Sequence, residues 1–172
     1  MSDLRKIVQG TLLENEPMSR HTSYGIGGPA NAYITPKDRL DLSKILKFAN
    51  QHSIKTYFVG SGSNLLVADS GIDGLVLTPA KALNQLKFDG EMVSVESGVM
   101  LGRFVKECMK RNLSGVESLI GVPGTLGGAL VMNAGAFGSE ISKCFKSVEI
   151  MNMVGDINTY YEGDIDFAYR YS

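Results

Sequence analysis

Between Glu117 and Glu140 the chain carries no charged residue, and six of the residues in that stretch are glycine. An uncharged run of this length could cross a membrane, but Pro123, Thr125, Asn133 and the glycines make it a poor apolar helix. The segment is better suited to wrapping a ligand, because bare backbone can approach a flat or anionic group that side chains would hold off. Glycine is enriched throughout, with 20 in 172 residues, or about 12% against a usual share of roughly 7%. Only 5 prolines accompany them, hydrophobic residues make up 44%, and mean hydropathy is +0.01, so the chain is neither collagen-like nor disordered. A chain this long can bury about 70% of its unfolded surface, enough for one core or two small joined lobes.

Charge and cysteine content narrow the possible roles. With 17 basic and 18 acidic residues the net charge is -1, which offers no electrostatic footprint for nucleic acid or an anionic membrane. Cys108 and Cys144 lie 36 positions apart with no histidine beside them, and the only histidines are His21 and His52. A disulfide framework or a zinc site is therefore not expected, and a reducing, cytoplasmic setting is. The opening residues carry Asp3, Arg5 and Lys6 and no apolar stretch, so they do not read as a signal peptide.

Periodicity predicts an α+β chain in two lobes, 1–80 and 81–172. Leu4, Ile7, Val8 and Leu12 predict a helix over 4–13, and residues 31–35 a short strand. Thr35 and Pro36 read as the cap and first turn of a helix running to His52. Strands follow at 55–59 and 74–78. A hairpin over 86–96 turns at Asp89-Gly90, and a helix spans 101–111. Residues 125–134 read as a helix of small side chains, and 145–161 as two strands around Gly155-Asp156.

The first glycine loop is Gly60-Ser61-Gly62-Ser63-Asn64-Leu65, directly after a predicted strand. It is not a Rossmann fingerprint: Leu65 stands where a third glycine belongs, and strand-like sequence follows where a helix is needed. No phosphate-binding Gly-x4-Gly-Lys motif occurs. Successive amides in tight glycine turns can hold an anion without a basic side chain, although this loop alone reads better as an ordinary tight turn. The second segment, Gly121-Val122-Pro123-Gly124-Thr125-Leu126-Gly127-Gly128, is stronger. Two glycines at a helix start suggest a phosphate approaching free amides, against the alternative of close packing on a sheet. Together the loops predict a long ligand with a pyrophosphate and a flat ring, held by a non-Rossmann fold.

In order along the chain, His21–Ala30, Gly60–Leu66, Gly121–Gly128, Asn133-Ala-Gly135-Ala136-Phe-Gly138 and Tyr169-Arg170-Tyr171-Ser172 resemble the motifs of the UDP-N-acetylenolpyruvoylglucosamine reductases of bacterial cell-wall synthesis, the MurB family. The resemblance implies the two-lobed FAD-binding fold of the vanillyl-alcohol oxidase (PCMH) type. It implies noncovalent FAD with its pyrophosphate on Gly60–Leu65 and on the Gly121–Gly128 segment, and its ring near Asn133, Gly135, Ala136 and Gly138. NADPH would be the co-substrate and a UDP-sugar the substrate, with the chain a monomer. Arg170 would stabilise the enolate formed on the enolpyruvyl group, and Tyr169 would shape the substrate site.

Two departures qualify the resemblance. The family continues past the Tyr-Arg motif into a substrate-gripping domain that carries the proton-donating serine and an assisting glutamate. Ser172 matches the motif serine and not that donor. The chain is thus expected to hold the flavin bed, to carry Arg170 at a frayed terminus, and not to complete turnover alone. Gly25 stands where many relatives carry a basic residue. A non-enzymatic flavin-binding module and another PCMH-type oxidoreductase are the rival readings.

Overall fold

A computed structural model describes residues 2–172, which divide into two compact units. The first comprises residues 2–83 with Met151–Asn158, the second Asn84–Ile150 with Thr159–Ser172. Among the described residues, no helix is long and apolar enough to cross a membrane.

The first unit contains α1 (Ser2–Ile7), β1 (Thr11–Pro17), β2 (Pro29–Thr35), α2 (Arg39–Gln51), β3 (Thr56–Phe58) and β4 (Ile72–Leu77). The strands form one sheet in the order β1-β2-β4-β3, with β1 antiparallel to β2 and β4 parallel to both its neighbours. Alternation along the strands divides the core between the two faces. Ala32, Ile34, Leu75 and Leu77 pack against Leu42, Ile45, Leu46 and Ala49 of α2. Tyr33 and Val76 point the other way and join Met18, Val59 and Val67, so this face is covered by loops. That covering brings the loop after Val59 onto a sheet face instead of leaving it in solvent.

Two sequence expectations are corrected here. The helix expected over 4–13 ends at Ile7, and residues 11–17 are a strand that pairs Thr11 with Thr35 and Pro17 with Pro29. Leu12 still turns toward the α2 core, but from a strand. The cap of α2 is Asp38, not Thr35: its carboxylate accepts from the Asp41 amide at 2.9 Å while Thr35 stays in β2. Asp41, buried, accepts in turn from the amides of Gln9, Gly10 and Lys37 at 3.0, 2.9 and 2.8 Å.

The second unit contains the hairpin of β5 (Leu86–Asp89) and β6 (Met92–Val95), then α3 (Leu101–Met109), α4 (Leu126–Val131), and a two-residue-strand hairpin of β7 (Gly135–Ala136) and β8 (Ser139–Glu140). A further hairpin, β9 (Ser147–Met151) and β10 (Ile157–Tyr161), turns at 152–156, its residues 151–158 belonging to the first unit and the rest to the second. Val99, Leu101, Phe104, Val105, Cys108, Leu119, Ala129 and Ile141 form the core of the second unit, with Phe88 and Val93 of the β5–β6 hairpin laid against them. The expected helix over 125–134 is shorter, because residue 135 begins a hairpin that the sequence reading missed.

At the end of α3, Glu107 bonds Lys110 at 2.7 Å and Arg111 at 2.6 Å. Chiefly through Lys110, then Arg111, these cations hold its carboxyl down from 4.5 to about 2. A folded-state value below the unfolded one contributes stability above about 4.5, and that contribution is lost as pH falls toward 2. Comparing melting temperatures of the wild type and Glu107→Gln should show a gap near neutral pH that closes by about pH 2. A gap independent of pH would refute the assignment.

Candidate cofactor site

The Gly60–Leu65 loop leaves the sheet after the Val59 amide donates to Leu77 at 2.9 Å. No helix follows it: the chain runs irregularly to β4, as the non-Rossmann reading expects. Gly62 has φ +69, and a Cβ there would overlap the His21 carbonyl oxygen. The Gly62 carbonyl accepts from the Ser23 amide at 3.1 Å. His21 is itself fixed, stacked on Tyr33 at 3.8 Å between ring centroids and bonded to Glu16 at 3.0 Å. The 18–28 segment is therefore the mould of the loop, a role the sequence reading did not assign to it. Its tip exposes Tyr24 and Ile26.

Among the described residues, the amides of Gly60, Ser61 and Gly62 donate to no other group of the chain, and the Ser61 hydroxyl lies 3.4 Å from that of Ser63. Ser63, Asn64 and Leu65 complete the turn. Neutral N–H and O–H groups concentrated in this way are the donor set of an anion nest.

In the second unit the amides of the Gly121–Gly128 segment fall into two groups. The amides of Leu126, Gly127 and Gly128 are consumed within the chain, by Val99 O at 2.8 Å, Ser97 O at 2.9 Å and Thr125 Oγ1 at 3.4 Å. Gly127 lacks a side chain for packing: a Cβ would lie 2.8 Å from Ser97 Cβ. The helix start thus serves close packing, the alternative weighed against phosphate approach. The amides that remain without an acceptor, among the described residues, belong to Gly121, Gly124 and Thr125, ahead of the helix. Val122 donates to Leu119 at 3.0 Å, and Pro123 has no N–H to offer.

Asn133 is buried, and its side chain is used inside the chain. Nδ2 donates to Glu140 Oε2 at 3.0 Å and to Ala168 O at 3.1 Å, while Oδ1 accepts from the Ser142 amide at 3.3 Å. Its side-chain oxygen and nitrogen are thus both committed to partners within the chain. Gly135, Ala136 and Gly138 form the β7–β8 hairpin, which turns at Phe137 and Gly138 with φ +52 and +76. Phe137 is 94% exposed, and it holds a backbone conformation that costs a bulky residue about 1–3 kcal/mol. The sequence reading passed over it; an aromatic before glycine in a two-residue turn was the available signal.

Tyr169 and Arg170 lie in a tight turn closed by Ala168 N donating to Tyr171 O at 3.0 Å and Tyr171 N to Ala168 O at 3.1 Å. Arg170 has φ +59, and its guanidinium sits 5.0 Å from the exposed Tyr169 ring centre. Ser172 Oγ donates to Val131 O at 3.2 Å. The expectation of a frayed end is corrected: two bonds close the turn on itself, and two more tie residues 168 and 172 to Asn133 and Val131.

The mixed sheet, with no helix after the first glycine loop, is not a Rossmann fold, and each unit carries its own group of unpaired glycine-loop amides. Residues 30–160 match the FAD binding domain family, and the chain belongs to that family. It is 40% identical over 172 residues to the UDP-N-acetylenolpyruvoylglucosamine reductase of Bacillus licheniformis, covering all of this chain and 57% of that protein. It is 40% identical over 158 residues to the same-named reductase of Streptococcus uberis, covering 92% of this chain and 52% of that one. The chain thus spans about half the length of the curated relatives it matches. Among solved structures, the Thermus caldophilus reductase (MurB) superposes with a TM-score of 0.75 at 28% identity, covering 95% of this chain and 56% of that chain. The 6-hydroxy-D-nicotine oxidase of Arthrobacter nicotinovorans shares the fold, with a TM-score of 0.70 at 18% identity over 91% of this chain and 37% of that one. The α+β fold is therefore of the vanillyl-alcohol oxidase type, and the cofactor is FAD. The donor sets fit it: neutral amides suit a pyrophosphate, and glycine-lined backbone admits a flat ring.

Proposed function

We propose that the chain is the FAD-binding half of an NADPH-dependent reductase that acts on the enolpyruvyl ether of UDP-N-acetylglucosamine in cytoplasmic peptidoglycan precursor synthesis. The observation that carries this reading is 40% identity to a named reductase over the whole chain, and the unpaired amides in this chain's two glycine segments support it. The Gly60–Leu65 and Gly121–Gly128 segments hold the pyrophosphate through backbone donors, without a lysine or arginine in either loop. Bound FAD supplies the hydride carrier between NADPH and substrate. Arg170 places a permanent, planar cation beside the substrate carboxylate, where negative charge accumulates as the enolpyruvyl double bond is reduced. Tyr169 lines the substrate side of that arginine. The UDP-sugar is gripped mainly by the half of the relatives that this chain does not span, and the protein works as a monomer.

Titration of the purified chain with FAD should quench flavin fluorescence with a Kd at or below about 1 μM. The flavin should stay with the protein through gel filtration. A chain that elutes colourless after incubation with excess FAD would overturn the proposal.

A further inference from the structure

Asn133 has an unusual position in the second unit. It is 1% exposed, has φ +39, and bonds Glu140 and Ser142 a short way along the chain and Ala168, 35 residues away. One arm of its Nδ2 reaches Glu140, the last residue of the β7–β8 hairpin that presents Phe137. The other reaches the Ala168 carbonyl, which also closes the turn carrying Arg170. Both hydrogens of one amide group are thereby committed, one to each segment. The other side-chain ties to these segments come from exposed groups: Lys143 Nζ to Gly138 O at 2.8 Å and Ser172 Oγ to Val131 O at 3.2 Å. The hairpin strands are two residues each, and the turn lies among exposed residues.

We propose that Asn133 is a positioning residue: it fixes the Phe137 hairpin and the Tyr169–Arg170 turn in one arrangement, through two separable arms. This rests on the reading of Arg170 as the residue facing substrate charge. Arg170 has a positive φ, and its guanidinium rests over the ring of Tyr169 in the same turn, so the bond to Ala168 O that fixes the turn sets where the guanidinium can reach. Asparagine suits the position because it tolerates the left-handed conformation and offers both donors in one plane. Aspartate keeps the shape and the conformation but loses both donors, and it would set its charge against Glu140.

Hydrogen exchange of the 172-residue chain, read by mass spectrometry, tests the two arms. Asn133→Asp should speed exchange about tenfold in both 135–140 and 168–171. Glu140→Ala removes one arm only, and should speed exchange in 135–140 while leaving 168–171 at the wild-type rate. In Asn133→Asp/Glu140→Gln, the new amide of residue 140 can donate to the new carboxylate. Exchange in 135–140 should then return to within about threefold of wild type, while 168–171 stays fast. Unchanged exchange at 168–171 in Asn133→Asp, or recovery of both segments in the double variant, would overturn the proposal. So would faster exchange at 168–171 in Glu140→Ala, which stands even if Asn133→Asp fails to fold. Arg170→Lys should leave both segments unchanged, so a failure of Arg170 as the substrate-facing residue would be seen separately, as undiminished activity of that substitution in a complete reductase.

Discussion

Gly62→Val will weaken FAD binding by at least about 100-fold, equivalent to about 2.7 kcal/mol. Two independent faults produce this. Valine is strained at φ +69, and its Cβ would occupy the place of the His21 carbonyl oxygen, with Thr22 Cα only 3.1 Å away. The loop cannot yield by moving inward, because Ser23 donates to the Gly62 carbonyl and His21 is held between Tyr33 and Glu16. It must move outward, and the amides of residues 60–62 move with it. Gly25→Ala is the matched comparison. Gly25 has φ +67 but nothing lies within 4 Å of a Cβ, so only the conformational cost of about 1 kcal/mol applies and FAD affinity should be kept. Titration of both substitutions decides the matter. A folded Gly62→Val chain that binds FAD within threefold of wild type would show that the loop does not hold the cofactor.

Asp41→Ala is expected to be the most damaging single substitution for the first unit, at about 3–5 kcal/mol. The carboxylate is 1% exposed and gathers the amides of Gln9, Gly10 and Lys37. Removing it leaves three amides without the acceptor that gathers them, and it unties the start of β1 from the start of α2. For a chain of this size the loss corresponds to a fall in melting temperature of about 10 °C. Asp41→Asn, which keeps one acceptor oxygen, should fall between the two. A melting temperature for Asp41→Ala within 2 °C of wild type would sink this account.

The reach of the sequence differed from feature to feature for physical reasons. The helix α2, the β5–β6 hairpin and the rejection of a Rossmann loop were legible because their signals are local: a 3.6-residue stripe, an Asp-Gly turn, a missing glycine. Strand β1 was not, since its partner β2 begins 12 residues after Pro17 and Leu12 fits a helical stripe equally well. The glycine loops were legible as backbone sites, but composition could not say which amides were free. Gly127 and Gly128 look like the phosphate-facing pair, yet Ser97 and Val99, some 30 residues upstream, claim the donors at the helix start. Asn133 shows the same limit: its residue type fits a ligand contact or a buried tie, and only the positions of Glu140 and Ala168 distinguish them.

The strand order of the first unit also has a consequence for synthesis. β4 is the last of the four strands in the chain, yet it sits between β2 and β3 and bonds both. While the chain emerges from the ribosome, β3 has no neighbour to pair with until Leu77 has been made, and the Val59 amide at the root of the cofactor loop waits for the same residue. The Gly60–Leu65 loop therefore takes its shape after the sequence that encodes it is complete, and FAD can select only nascent chains whose parallel pairing has closed.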